Sequence, residues 1–232
     1  MPDSRERLIV ALDVSSAAAA NKIVAAVGDS ARIYKVGVQL YTAEGPQIVR
    51  DLIASGRQVF LDLKYHDIPN TVASAVKEAC RLGVSMLTVH AAGGGTMLRA
   101  AVEAARNTNA STMILAVTVL TSLDRRDLEN AGVRGSVLDQ VSRLAALAIT
   151  NGCHGVVSSA QEAAALRAEL GDDFLIVTPG VRPAGTGHGD QARVVTPSEA
   201  IASGASYIVV GRPITEAEDP ALEAREILAQ MA

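Results

Sequence analysis

The chain has 232 residues, of which 49% are apolar, and a net charge of −4 at pH 7. This is enough to bury a full core, so we expect one domain over residues 1–232, a size that α/β barrels commonly reach. The small net charge, without a basic cluster, argues against nucleic acid as a partner. The polar N-terminus is unlike a signal peptide, and no apolar run reaches about 18 residues, the length of a membrane span. We therefore expect a soluble, cytoplasmic protein.

Short β-rich runs alternate along the chain with longer segments of helical spacing. We predict strands at 8–12, 33–38, 59–63, 86–89, 113–117, 155–157, 174–177 and 207–210, and helices that include 71–82, 95–105, 136–151 and 160–170. Near-continuous apolar strands separated by helices indicate a parallel sheet covered by helices. The number of these units favours a closed (β/α)8 TIM barrel over an open doubly wound sheet, which is the alternative.

Polar residues collect at the C-terminal ends of the predicted strands. Active sites of (β/α)8 barrels are built at these ends and in the loops that follow them. The opposite ends of the strands show no comparable collection. The candidate site residues are therefore Asp13, Lys35, Asp62, Lys64, Asp67, His90, Thr121, Ser122, Pro179, Arg182, Gly211 and Arg212.

Charged residues end the third predicted strand, where apolar residues would be expected. In a regular extended chain, alternation puts Asp62 and Lys64 on one face. Unpaired buried charges are costly, so these groups need each other or a ligand. Together with Lys35 and Asp67 they could form an alternating network of cations and anions in a catalytic site. A buried ion-pair cluster without a function is the alternative.

The loops after the seventh and eighth strands have the composition of an anion site. Loops at these positions of (β/α)8 barrels frequently bind phosphate. Arg182 and Arg212 can supply charge-assisted hydrogen bonds, and Gln191 can supply a neutral donor. The glycines between residues 180 and 189 let backbone amides approach an anion, and they equally suit a lid that closes over a ligand.

Metal-binding patterns are weak in this sequence. His154 precedes its strand, on the wrong side for the barrel mouth, and His188 lies in a glycine-rich loop, so no preformed metal site is evident. Cys80 and Cys153 lack CxxC spacing and are expected to be buried free thiols. We therefore expect no metal.

Several segments resemble, in order, the sequence blocks of the orotidine 5′-phosphate decarboxylase family. The signature is Asp-Leu-Lys-Tyr-His-Asp-Ile-Pro-Asn-Thr at residues 62–71, in which Tyr65 is the one departure noted. Further blocks are Leu12-Asp13, Lys35-Val-Gly, Val119-Leu-Thr-Ser122, Thr178-Pro-Gly-Val-Arg182-Pro with Gly-Asp-Gln191, and Val-Gly211-Arg212-Pro-Ile. The resemblance covers nearly the whole chain.

The resemblance implies conversion of orotidine 5′-monophosphate into uridine 5′-monophosphate and carbon dioxide, without a cofactor, as the last step of pyrimidine nucleotide synthesis. It implies that Lys64 stabilises a C6 carbanion and protonates it, while Asp62 holds the ammonium and crowds the substrate carboxylate. Lys35 and Asp13 would contact ribose hydroxyls.

The remaining roles also follow from the resemblance. Asp67, with Ile68 and Thr71 nearby, would reach the neighbouring subunit's site, which implies a homodimer with shared sites. The base would be bordered by Thr121, Ser122 and Pro179, and the phosphate would be held by Arg182, Gln191, Gly211 and Arg212.

Two alternatives remain open at this stage. A metal-dependent sugar-phosphate decarboxylase or epimerase of the same barrel superfamily would share the Asp-x-Lys-x-x-Asp pattern. Such relatives typically carry an acidic metal ligand on the second strand, where this chain has Lys35. The second alternative is a non-catalytic nucleotide-binding barrel that uses the same phosphate loops.

Overall fold

Eight parallel strands close into a barrel in sequential order in the computed structural model, which describes residues 6–108, 111–183 and 195–231. The first and last strands pair, with Val10 opposite Val210. The predicted (β/α)8 TIM barrel is therefore confirmed, and the open sheet is excluded. The strands are β1 Leu8–Ala11, β2 Ile33–Gly37, β3 Gln58–Tyr65, β4 Met86–His90, β5 Met113–Val117, β6 Gly155–Val157, β7 Leu175–Thr178 and β8 Tyr207–Val210.

Helices follow the strands and cover the outside of the barrel. Several begin where the sequence offers a cap: Ser136 and Ser159 each form a capping box with an acidic residue three positions later, and Pro69 and Pro197 stand in a first turn. The helices are α1 Ala17–Val27, α2 Val38–Glu44, α3 Gln47–Ala54, α4 Pro69–Leu82, α5 Gly94–Asn107, α6 Arg125–Asn130, α7 Val137–Thr150, α8 Ala160–Leu170, α9 Pro197–Ala202, α10 Arg212–Thr215 and α11 Pro220–Gln230.

The core has two layers, because each strand of a closed barrel faces the interior on one side and the helices on the other. Ile9, Phe60, Met86 and Leu115 belong to the smaller cluster, which fills the barrel interior. The larger cluster joins the outward faces of the strands to the buried faces of the helices. Burial on both sides explains why the strands read as continuous apolar runs.

The two cysteines are buried and free, as predicted. Within residues 6–108, 111–183 and 195–231, every helix is too short or too polar to cross a lipid bilayer.

Candidate active site

A cavity of about 560 Å³ opens at the C-terminal ends of the strands. Its volume falls in the range of small-molecule sites, and its position is the one that active sites occupy in (β/α)8 barrels. Apolar residues of the barrel interior, including Ala11, Phe60 and Val209, line part of it. The predicted site residues that line it are Asp13, Lys35, Asp62, Lys64, Thr121, Pro179, Arg182, Gly211 and Arg212.

Two lysines and two aspartates form a chain of ion pairs in this cavity. The Nζ of Lys35 lies 2.6 Å from Oδ1 of Asp13 and 3.9 Å from Oδ2 of Asp62. The Nζ of Lys64 donates to the same Asp62 Oδ2 at 2.8 Å. The side chains of Asp62 and Lys35 are only 13% and 12% exposed, so water screens their charges poorly. Asp62 therefore stands between two cations.

Asp67 does not join this network within one chain. Its carboxylate is exposed and accepts a hydrogen bond from the backbone N–H of Ile68 at 2.6 Å, next to the start of α4. Within one chain Asp13 supplies the second carboxylate of the network, and the predicted membership of Asp67 stays a prediction.

The backbone of β3 departs from the regular strand that the sequence predicted. Leu61 pairs with Leu87 and Tyr65 pairs with Val89, so residues 62–64 lie opposite a single residue of β4. Lys64 has φ +50°, the left-handed region, and is the non-glycine residue with positive φ among those described. The prediction that simple alternation aligns Asp62 with Lys64 was therefore wrong in its reason, although the two side chains do meet. Holding a lysine in this conformation costs about 1–3 kcal/mol, and such residues cluster at functional sites.

Gly37 makes room for the ion pair between Lys35 and Asp13. A Cβ at this position would stand 3.0 Å from the Nζ of Lys35 and 3.3 Å from Oδ1 of Asp13. The glycine at the end of β2 thus lets the two side chains meet beside the backbone.

The far side of the cavity is formed by the ends of β7 and β8. Pro179 and Arg182 follow β7, while Gly211 and Arg212 lie at the start of α10 after β8. The backbone N–H of Arg182 donates to the carbonyl of Val195 at 3.0 Å, which joins the two edges of the described β7 loop. Gln191, one of the four predicted phosphate contacts, and His188 lie outside the described residues.

Four predicted site residues in the described part of the chain are not among those that line the cavity: Asp67, Thr71, His90 and Ser122. Thr71 is exposed on α4, and Ser122 is exposed one position after the lining residue Thr121. The implied reach of Asp67 and Thr71 toward a second subunit stays a prediction. For Ser122, the chain as described offers no contact with the cavity.

Two buried hydroxyl residues near the cavity were missed by the sequence analysis. Ser158 follows β6, lines the cavity and donates to Oε2 of Glu162 at 2.9 Å. Its place after a strand was the signal that could have found it. Thr88 lies within β4 and is fully buried, with its hydroxyl hydrogen-bonded to Asp62 and to the backbone of Lys64. A lone hydroxyl in the apolar run of β4 was the corresponding signal.

The three histidines in the described part of the chain lie at the two ends of the barrel. The rings of His66 and His90 stack with centroids 5.2 Å apart at the barrel mouth. Burial lowers the pKa of His90, and the nearby His66 and Lys64 lower it further. His154 lies at the opposite end, where its Nδ1 accepts from the backbone N–H of Ile114 at 3.0 Å. Among the described residues, no group of three or more His, Cys, Asp or Glu side chains could hold a metal ion.

Comparison with known proteins gives a consistent result. A sequence model described as "Orotidine 5'-phosphate decarboxylase / HUMPS family" matches residues 6–227. A relative named orotidine 5′-phosphate decarboxylase from Moorella thermoacetica is 51% identical over 98% of this chain and 93% of its own length. One of the same name from Afipia carboxidovorans is 53% identical over 98% of this chain and 95% of its own length.

The barrel is also similar to a solved structure. The crystal structure of orotidine 5′-phosphate decarboxylase from Lactobacillus acidophilus superposes with a TM-score of 0.88 at 39% identity, covering 97% of this chain and 99% of the other. Sequence and fold thus agree over almost the full length of both proteins. The chain belongs to the orotidine 5′-phosphate decarboxylase / HUMPS family.

Proposed function

We propose that this protein decarboxylates orotidine 5′-monophosphate to uridine 5′-monophosphate and carbon dioxide, the last step of UMP synthesis. The observation that carries the proposal is the Asp62–Lys64 pair in one cavity with Arg182 and Arg212. This reaction needs two features: a fixed ammonium beside the reacting base and arginines that bind the phosphate. Relatives of the same name, about half identical over nearly the full length, support it.

The chemical difficulty of the reaction lies in the electron pair left at C6 when carbon dioxide departs. This pair lies in the plane of the pyrimidine ring, so the π system of the ring cannot delocalise it. In the proposed reaction no cofactor acts as an electron sink. The protein must therefore stabilise the carbanion with charges that are already in place before the bond breaks.

Lys64 is the group proposed to carry this charge. Its ammonium stabilises negative charge at C6 in the transition state and then donates the proton that replaces the carboxylate. Asp62, bonded to that ammonium at 2.8 Å, holds it in place. The same carboxylate would stand close to the substrate carboxylate, a repulsion that is relieved as carbon dioxide leaves.

The other residues of the cavity are proposed to bind the rest of the nucleotide. Lys35 and Asp13, paired at 2.6 Å, would contact ribose hydroxyls, because an ammonium and a carboxylate offer a donor and an acceptor side by side. Thr121, Ser122 and Pro179 would border the base. The phosphate would be held by Arg182, Gln191, Gly211 and Arg212. Binding energy from this distant phosphate can be used to order the site around the reacting carbon.

A test of the proposed function also separates it from its two alternatives. Purified protein is treated with a chelator, mixed with orotidine 5′-monophosphate and followed by pyrimidine absorbance. We expect full conversion to uridine 5′-monophosphate. A metal-dependent sugar-phosphate enzyme would not convert this nucleotide after chelation, and a non-catalytic barrel would bind uridine 5′-monophosphate without any conversion. Either result would reject the proposal.

We also propose a homodimer in which each site borrows Asp67 and Thr71 from the other subunit. The exposure of Asp67 and Thr71, and of Ile68 with 67% of its surface in water, supports a second chain at this edge. The proposal treats residues 1–232 as a single catalytic domain. The cytoplasmic location of the protein remains a prediction.

Subunit mixing tests the shared site. Lys64→Ala and Asp67→Ala proteins are each expected to be nearly inactive. After mixing and random reassociation in equal amounts, half of the dimers are mixed, and each mixed dimer has one site with both residues intact. About a quarter of the wild-type activity should therefore return. No return of activity under conditions that exchange subunits would contradict the shared site.

A further inference from the structure

We propose that Thr88 is a positioning residue for the Asp62–Lys64 pair. The inference rests on the proposed function and extends it to a residue that does not line the cavity and that the catalytic motif does not contain. Thr88 is fully buried in the middle of β4, the neighbour of β3 in the barrel. Its hydroxyl contacts both members of the pair.

Three hydrogen bonds form a closed circuit around this hydroxyl. The backbone N–H of Lys64 donates to Oγ1 of Thr88 at 2.9 Å, and Oγ1 donates to Oδ1 of Asp62 at 2.9 Å. The other carboxylate oxygen of Asp62 accepts from Nζ of Lys64 at 2.8 Å. Through Thr88 and Asp62, these bonds therefore link the backbone N–H of Lys64 to the ammonium of the same residue.

The direction of each bond follows from the chemistry of the groups. A backbone N–H can only donate, and an ionised carboxylate can only accept, whereas a hydroxyl does both. The hydroxyl hydrogen of Thr88 must therefore point at Asp62, which leaves a lone pair for Lys64. Valine has the shape of threonine and can make neither bond.

The irregular backbone of β3 explains why the hydroxyl is needed. Residues 62–64 lie opposite Thr88 alone, and Lys64 adopts φ +50°. At this bulge the N–H of Lys64 has a side-chain oxygen as its acceptor, in a place where a regular ladder would supply a backbone carbonyl. A buried N–H without an acceptor is unfavourable, so the hydroxyl stabilises the conformation that aims the ammonium.

This role predicts a particular kinetic effect. The proposed phosphate and ribose contacts lie elsewhere in the cavity, so loss of the Thr88 hydroxyl should leave nucleotide binding largely intact. Misplacement of the ammonium should instead weaken transition-state stabilisation. Thr88→Val should lower kcat by about 10- to 100-fold, with KM and the affinity for uridine 5′-monophosphate within a few fold of wild type.

Two variants provide the controls. Thr88→Ser keeps the hydroxyl and should keep kcat within about threefold of wild type. Thr112→Val makes the same change at another buried threonine, whose Oγ1 donates to the carbonyl of Val84 at 2.7 Å, away from the cavity. It should lower the melting temperature without lowering kcat. If Thr88→Val does not fold, Thr88→Ala is measured against the same criteria.

The kinetics would overturn the proposal if kcat stayed at the wild-type value without the hydroxyl, if Thr112→Val lost as much kcat, or if Thr88→Ser failed to retain activity. Amide hydrogen exchange gives a readout that does not depend on turnover. The Lys64 amide should be protected in wild type and Thr88→Ser, and should exchange at least tenfold faster without the hydroxyl. If wild-type protein does not decarboxylate the nucleotide, the proposed function fails, whereas unchanged exchange at Lys64 overturns the role of Thr88 alone.

Discussion

The Nζ of Lys64 lies 2.8 Å from Oδ2 of Asp62, although only Leu63 separates the two residues in the chain. In a regular strand the two side chains would run side by side and outward from the same face. Here the left-handed turn at Lys64 brings the ammonium back onto the carboxylate. The same carboxylate lies 3.9 Å from Nζ of Lys35, so both lysines are ordered around Asp62.

Asp62→Asn tests the central position of this carboxylate. The amide keeps the shape of the side chain and removes its charge, so Lys64 loses the anion that holds it. We expect kcat to fall on the order of 10²-fold or more. Asp51→Asn, at an exposed position of α3, serves as the matched control and should be neutral. Steady-state kinetics of both variants makes the comparison, and equal activities would refute the assigned role of Asp62.

Arg212→Ala tests the phosphate end of the cavity. Removal of a charge-assisted contact should raise KM by about 10- to 100-fold, and kcat should fall as well if phosphate binding also orders the site. Arg50→Ala removes an exposed arginine on α3 and should change neither constant. Unchanged KM and kcat in Arg212→Ala would remove this residue from the phosphate site.

Gly37→Ala tests the proposed ribose contact. Its φ of −93° permits an alanine, so the fold should tolerate the change, but the new Cβ would stand 3.0 Å from Nζ of Lys35. Displacement of Lys35 from Asp13 should raise KM several-fold with little change in melting temperature. Calorimetric titration with uridine 5′-monophosphate measures the effect directly. Wild-type affinity would show that the pair does not contact the nucleotide.

Acid should destabilise the fold through His154. Burial lowers the pKa of this histidine, and its Nδ1 must stay unprotonated to accept from Ile114. The unfolded chain, with an ordinary pKa near 6.5, binds the proton first, so this contribution to stability is present above pH 6.5 and is lost as pH falls toward the folded pKa.

His154→Asn provides the measurement, because its side-chain oxygen can still accept from Ile114 and does not titrate. Between pH 6.5 and 5, the unfolding free energy of the variant should fall less steeply with pH than that of wild type. The two slopes should differ by at most about 1.4 kcal/mol per pH unit, the slope that uptake of one proton gives. Urea unfolding at several pH values gives both slopes. Identical slopes would show that His154 does not carry this pH dependence.

The sequence predicted the barrel because each buried parallel strand is a continuous apolar run, and the runs are separated by helices. It also located nine of the residues that line the cavity, since polar residues that end such strands meet at one mouth. The bulge in β3 could not be predicted, because periodicity assumes a regular backbone. Thr88 was missed for the same reason, since its hydroxyl has a use only opposite that bulge. The role of Ser122 stays a prediction, since this residue is exposed and follows the lining residue Thr121 in a loop.

The most direct test of the account is the turnover of orotidine 5′-monophosphate by Lys64→Ala. Lys22→Ala, at an exposed position of α1, is the control for loss of a lysine and should keep wild-type activity. The account predicts that Lys64→Ala still binds uridine 5′-monophosphate but loses at least about 10³-fold in kcat, some 4 kcal/mol of transition-state stabilisation. Wild-type turnover in Lys64→Ala would contradict the central claim.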